Sequence, residues 1–284
     1  MDNSYKTIQF EKKEQAAVLT LDRPQKLNAF NLRMLEEMLD AIKYVNESDD
    51  IEFLIITGSG KAFCAGADLS YGKKTFDKNF DTRDFHDAEY RKDAGGILNL
   101  ELYRCLKPVI IACNGDAVGV GATMQLPADI RIASPNARYG FVFANRGIVP
   151  DGCASWFLPR VIGISKSLQL CYSGKLIDAE EALDIGLIDY ICDDNVVEYA
   201  LDKGRALCGS SAPVSIAMTR QMIWSLSGES NPELAHEIES KAIDSRGQSD
   251  DAKEGVMSFL EKRKPKFKNK VSSDMPEVYP WENK

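Results

Sequence analysis

Short apolar runs alternate with amphipathic stretches along the first two thirds of the chain. Runs this short and this apolar predict buried strands rather than helices. They are Ala16–Leu21, Phe53–Gly58, Pro108–Gly115 and Asp129–Ser134. Between the first two, apolar residues recur at helical spacing after Asn31, which is a favourable N-cap. Alternation of strands and helices to about residue 195 predicts an α/β core.

The remainder of the chain has a different pattern. Asp178 precedes a second capped helix, with acidic residues in its first turn. From about residue 196 to 265 the apolar spacing is mainly helical, and residues 266–284 form a polar, proline-containing extension. Residues 70–93 are polar and of mixed charge, which predicts a surface loop or a lid. We therefore divide the chain at 195 and 265.

Composition excludes several classes of protein. The 284 residues carry a formal net charge of -8, which disfavours nucleic acid or acidic membranes as partners. Seven cysteines without a CxxC pair, and only two histidines, His86 and His236, predict neither a disulfide framework nor a metal site. The sequence displays no secretory signal, membrane-spanning run or lipidation motif, so we expect a cytoplasmic protein.

Three segments could carry chemistry. Gly60–Ser70 follows a predicted strand and is crowded with small residues, which lets a ligand approach the backbone or simply makes a tight connection. Asn114–Ile130 has the order strand, glycine turn, helix, with Gly115, Gly119 and Gly121 before a helical "ATMQL". Such a turn can stabilise an oxyanion, although it matches neither a dinucleotide fingerprint nor a P-loop.

The third segment, Arg146–Gly163, contains Asp151 between a proline and a glycine. From Pro108 to Ile177 the other acids are Asp116 and Asp129, which suit a turn and a strand end. Asp151 is therefore the candidate acid or base. Its apolar neighbours predict an acyl pocket and a raised pKa, although two of them would alternate on a strand and fill the core; these neighbours are Phe141, Phe143, Val149 and Trp156.

Together the segments resemble the crotonase superfamily, the enoyl-CoA hydratase/isomerase family, over residues 8–265. The matching text is "RPQKLNAF", "FLIITGSGKAFCAGADL", "KPVIIACNGDAVGVGATMQLPADIRIAS", "GIVPDGCASWFLPRVIG" and "LIDAEEALDIGLIDYI". The resemblance implies a crotonase-type spiral of ββα units over residues 1–195, which binds acyl-CoA. It also implies a helical region at 196–265 that builds homotrimers, which commonly pair into hexamers.

The resemblance also implies roles for individual residues. The backbone N–H groups of Ala67 and Val120 would bind the thioester oxygen and stabilise an enolate. The family often has glycine where this chain has Val120. Substrate contacts are expected from Lys26, Ala65, Gly66, Asp68, Leu69, Gly121, Thr123 and Phe143. Lys26 would meet a CoA phosphate, or be an idle surface lysine. No cofactor is expected, because coenzyme A is part of the substrate.

The resemblance indicates the type of reaction less directly. Thr123 and Phe143 align with the two glutamates of well-known hydratases, which leaves Asp151 as the single carboxylate. One carboxylate suffices for double-bond isomerisation, since it can act as base and then as acid. The alternatives are hydration, or dehalogenase- or hydrolase-like attack by Asp151 with His86 as a conceivable helper. A non-catalytic acyl-CoA- or RNA-binding scaffold is the alternative outside enzymes. The sequence does not specify the acyl group.

Overall fold

A computed structural model describes residues 5–75 and 92–280. Its larger sheet has six strands in the order β1-β2-β3-β5-β7-β10, in which β1 is antiparallel to β2 and every other pair is parallel. The strands are β1 Ile8–Lys13, β2 Ala16–Leu21, β3 Phe53–Gly58, β5 Val109–Cys113, β7 Ile130–Ala133 and β10 Tyr190–Ile191. The predicted apolar runs therefore supply its central strands.

A smaller sheet of four strands has the order β4-β6-β8-β9. Its strands are β4 Ala62–Cys64, β6 Asp116–Val118, β8 Arg138–Gly140 and β9 Leu176–Asp178. Three strands of the large sheet, β3, β5 and β7, are each followed within a few residues by a strand of the small sheet. This repeated pairing, with helices between the repeats, confirms the predicted spiral.

The helices follow the strand pairs and then continue to the C-terminal end. They are α1 Leu32–Glu47, α2 Ala94–Arg104, α3 Val120–Thr123, α4 Ala154–Ile162, α5 Ile164–Ser173, α6 Ala179–Asp184, α7 Val196–Cys208, α8 Pro213–Leu226, α9 Pro232–Gly247 and α10 Asp250–Leu260. Asn31 and Asp178 cap α1 and α6 as predicted, each accepting a backbone hydrogen bond. In the described part of the chain, no helix is long and apolar enough to cross a membrane.

Helix α7 packs on the large sheet, although it follows the division made at residue 195. Its buried Ala200 and Leu201 belong to a cluster with strand residues of β2, β3, β5 and β7. Gly204 permits helix α7 to approach β3 closely, because a Cβ added there would lie 2.2 Å from the Phe53 ring. The extension after residue 265 is also attached to the body: Val271 is buried, and the Ser272 backbone donates to Asp49.

Two local predictions are corrected. Helix α3 begins at Val120, so Gly121 lies inside the helix rather than before it, and only Ala122 and Thr123 of "ATMQL" are helical. Phe141 and Phe143 do not alternate on a strand, because β8 ends at Gly140 and Phe143 precedes a 3-10 turn. Both rings are nonetheless buried in the core.

Candidate active site

The small-residue segment after β4 runs beside the stretch that precedes α1. The Phe30 N–H donates to the Gly66 carbonyl, and the Asp68 N–H donates to the Phe30 carbonyl, each at 2.8 Å. In a parallel bridge of this kind, the residue between the two bonded positions directs its own N–H and C=O away from the partner. The Ala67 N–H therefore points away from Phe30, and it has no hydrogen-bond acceptor among the described residues.

An ion pair holds this segment in place. Arg23 Nη2 lies 2.6 Å from Asp68 Oδ2, and both side chains are largely buried. Burial raises the pKa of Asp68, but hydrogen bonds from Ser70 and Arg23 outweigh this effect and bring the pKa to about 2. Asp68 is thus committed to a structural contact. Leu69 and Lys26, also predicted to touch substrate, are exposed beside this pair.

The glycine turn, which follows β6, meets the same segment from the neighbouring strand of the small sheet. Gly119 has φ +56° and precedes α3, so that the N–H of Val120 lies in the first turn of this helix. A Cβ on Gly66 would lie 3.1 Å from the Val118 carbonyl, and one on Gly121 would lie 2.1 Å from the Cys64 carbonyl. The two backbones can approach this closely only because both positions are glycine.

Asp151, the candidate acid or base, lies beside helix α3. The Thr123 hydroxyl of α3 donates to Asp151 Oδ1 at 2.8 Å. Burial raises the pKa of Asp151, the hydrogen bond from Thr123 lowers it, and the charge of Asp93 raises it further, giving a value of about 6. A carboxyl group with this pKa can hold and release a proton near neutral pH.

Gly95, near the start of α2, shows how close this carboxyl lies to the glycine turn. An added Cβ there would be 3.2 Å from Val120 Cγ2 and 3.4 Å from Asp151 Cγ. Asp151 and the first residue of α3 therefore flank one small helical residue. The structure thus brings Thr123, Val120 and Asp151 together, and joins the Ala65–Gly66 segment to them through Gly119 and Gly121.

Other predicted pocket residues lie elsewhere. Val149 is 79% exposed, so it is not a wall of a closed pocket. Trp156 packs edge-on against Tyr103 and Phe157, under the guanidinium group of Arg160. Phe143 is buried, as a pocket wall or core residue must be. His86 lies outside the described residues.

Sequence reasoning missed the residues of α2 that reach this site. Asp93 caps α2 by accepting from the Gly96 N–H, and it also accepts from the Gly152 N–H at 3.0 Å. The side-chain amide of Asn99 donates to the carbonyls of Thr123 and Gly152. An Asp followed by Ala-Gly-Gly and an apolar run is an N-cap signal, and the glycines let another segment approach the helix closely.

Comparison with known proteins agrees with this architecture. Residues 11–270 match the family model described as enoyl-CoA hydratase/isomerase. The chain is 41% identical over 255 residues to an enoyl-CoA hydratase of Alternaria alternata, covering 89% of this chain and 83% of that protein. It is 33% identical over 264 residues to the 1,2-epoxyphenylacetyl-CoA isomerase of Escherichia coli, covering 89% and 94%.

Solved structures give the same result. An enoyl-CoA hydratase from Bacillus anthracis superposes with a TM-score of 0.80 at 27% identity, covering 93% of this chain and 99% of that one. The fold and the paired backbone turns define a crotonase-type enzyme. The chain belongs to the enoyl-CoA hydratase/isomerase family.

Proposed function

We propose that the protein acts on an enoyl-CoA thioester and moves its double bond, with Asp151 as the single acid/base. The observation that carries this proposal is the position of Asp151. It lies beside the first turn of α3, and a threonine, Thr123, donates to it from that helix. Both hydratase and isomerase names occur among the relatives, so the names alone do not choose between the reactions.

The N–H groups of Ala67 and Val120 are the proposed donors to the thioester oxygen. Support comes from the direction of the Ala67 peptide and from the place of Val120 in the first turn of α3. Negative charge grows on this oxygen when a proton leaves the neighbouring carbon, so fixed donors lower the barrier. Loss of one such donor costs about 2.7–4 kcal/mol in other enzymes.

Asp151 then carries the proton. In isomerisation, its carboxylate takes a proton from C2 of a 3-enoyl thioester, and the electrons form an enolate. The same group returns the proton to C4 while the double bond forms between C2 and C3. Base and acid are one residue, so a pKa of about 6 is suited to both halves of the step.

Hydration is the second candidate, favoured by the names of relatives that are 40–41% identical. It requires one group to activate water and a second proton donor for C2. Thr123 and Phe143, at the positions of the two expected glutamates, supply no second carboxyl group. A nucleophilic role for Asp151 in a dehalogenase- or hydrolase-like reaction would require a covalent ester instead.

The test is incubation with 2-enoyl-, 3-enoyl- and aryl-CoA thioesters in heavy water. Isomerisation predicts a product of unchanged formula apart from deuterium at C2 or C4. Addition of water to a 2-enoyl thioester as the main reaction would support hydration and contradict the proposal. Asp151→Asn is expected to bind the thioester without turnover, whereas Val149→Ala, at an exposed position on the same segment, retains turnover.

We also propose that the C-terminal helices form a homotrimer or hexamer. Large apolar side chains of α10 are exposed, with Phe259 at 82% and Leu260 at 67%. Neighbouring exposed apolar residues of this kind mark contact surfaces. Light scattering should give the mass of a trimer or hexamer, and Phe259→Glu should lower it. Gln248→Glu adds the same charge without removing an apolar side chain and serves as the control; a monomeric wild type contradicts this proposal.

A further inference from the structure

The turn that carries Asp151 has an unfavourable backbone conformation. Gly152 has φ +65°, and Cys153, which follows it, has φ +54° although it is not glycine. A cysteine in the left-handed region costs free energy and persists where surrounding contacts determine the conformation. The direction of the Asp151 side chain depends on the peptides that join Asp151 to Gly152 and Gly152 to Cys153. The contacts that hold these two peptides therefore matter for the site.

Two side chains of the α2 segment hold those two peptide units. Asp93 Oδ1 accepts from the Gly152 N–H, which belongs to the peptide joining Asp151 to Gly152. Asn99 Nδ2 donates to the Gly152 carbonyl at 2.6 Å, in the peptide joining Gly152 to Cys153. The same amide group donates to the Thr123 carbonyl at 2.8 Å.

The turn leaves no room for a side chain at Gly152. An added Cβ on Gly152 would lie 2.8 Å from Thr123 Oγ1 and 2.9 Å from Asn99 Nδ2. Asn99 itself is fully buried, so its amide donors depend on protein acceptors rather than on bulk water. Thus α2, α3 and the Asp151 turn form one hydrogen-bonded unit, and α2 contributes the side chains that join them.

We propose that Asp93 and Asn99 are positioning residues, which fix the Gly152 peptide and thereby aim the Asp151 carboxyl group at the substrate. This inference rests on the proposed role of Asp151. Asp93 has a second effect, because its negative charge disfavours ionisation of Asp151. The other ionisable groups of the described chain that face Asp151 are the thiols of Cys64 and Cys153.

The experiment separates the hydrogen bond from the charge. Asp93→Asn keeps an oxygen that can cap α2 and accept from Gly152, but it removes the charge. Asp93→Ala removes both, and Asn99→Ala removes the amide donor. Asp178→Ala is the matched control, because Asp178 caps α6 in the same way but has no contact with Asp151.

We expect kcat to fall about 100-fold in Asp93→Ala and Asn99→Ala with KM little changed, since a misplaced reacting group slows the chemical step. Asp93→Asn should restore kcat to within about threefold of the wild type, because an asparagine oxygen can still accept from the Gly152 N–H and keep the turn in position. Asp178→Ala should lose stability without losing kcat. If Asp93→Ala does not fold, Asp93→Ser retains a helix cap with a shorter side chain and takes its place.

A pH measurement tests the charge independently of turnover. The unfolding free energies of wild type and Asp151→Asn diverge at a pH midpoint set by the pKa of Asp151. In the Asp93→Asn background this midpoint should move to lower pH. Because unfolding is measured, the shift can be read even if Asp151→Asn retains full turnover, a result that would refute the proposed function alone.

The inference is overturned by any of three results. The first is kcat of a folded Asp93→Ala or Asn99→Ala within threefold of the wild type. The second is an equal loss of kcat in Asp178→Ala, which would make the effect one of general stability. The third is a pH midpoint unmoved by Asp93→Asn.

Discussion

Replacing Asp151 with Asn should stabilise the fold at neutral pH while it abolishes turnover. The pKa of Asp151 is about 6 against an ordinary value of 3.8. The difference of about two pKa units corresponds to about 3 kcal/mol. Asn removes the charge and keeps an oxygen for the hydroxyl of Thr123, so the pH dependence reports ionisation rather than a lost hydrogen bond.

The sign follows from linkage between proton binding and folding. The folded protein holds this proton more tightly than the unfolded chain, so the protonated carboxyl favours the fold at low pH. That contribution is complete below about pH 4 and is lost as the pH rises through 6. Asn does not ionise, so the variant does not lose stability in this way as the pH rises. The stability of Asp151→Asn relative to wild type should therefore increase by about 3 kcal/mol between pH 4 and pH 8.

The assay is urea unfolding at a series of pH values and fixed protein concentration, followed by tryptophan fluorescence. Asp68→Asn provides a control of opposite sign. The pKa of Asp68 is lowered to about 2, so its ionised form stabilises the fold above about pH 4 and its replacement should cost stability there. A stability difference between Asp151→Asn and wild type that is the same at pH 4 and pH 8 would refute the reasoning.

Three further substitutions test the site. Thr123→Val removes a hydrogen bond that lowers the pKa of Asp151, so the base limb of a kcat/KM profile against pH should move to higher pH. Gly95→Ala favours helix α2 by about 1 kcal/mol but places a methyl group against Asp151, so kcat should fall at least about tenfold without loss of the melting temperature. Gly121→Ala drives a Cβ to within 2.1 Å of the Cys64 carbonyl and should destabilise the protein by about 3 kcal/mol or prevent folding, as measured by urea unfolding.

The sequence predicted the elements whose signals are local. Asn31 and Asp178 cap helices because each cap depends on residues three positions away. The apolar runs became central strands because strands covered on both faces are uniformly apolar. The family resemblance supplied the spiral and directed attention to Asp151, and both the fold and the family are confirmed.

Contacts between distant segments could not be predicted in this way. Asp93 and Gly152 are 59 positions apart, and no local rule joins a helix cap to a turn at that separation. The sequence also did not predict the exposure of Val149, because an apolar residue close to a proline and an acid can equally line a pocket or lie on the surface. Helix α2 itself was missed, since its two glycines weaken the helical pattern although they make room for the site.

The balance of effects on Asp151 explains why a threonine suits the position of Thr123. Burial alone would drive the pKa of the carboxyl upward, and a glutamate on α3 would add a further negative charge. A hydroxyl donor does the opposite, because it favours the ionised carboxyl at short range. Because Asp93 raises the pKa of Asp151 and Thr123 lowers it, this pKa is about 6, a value that suits the proposed transfer of a proton from carbon and back.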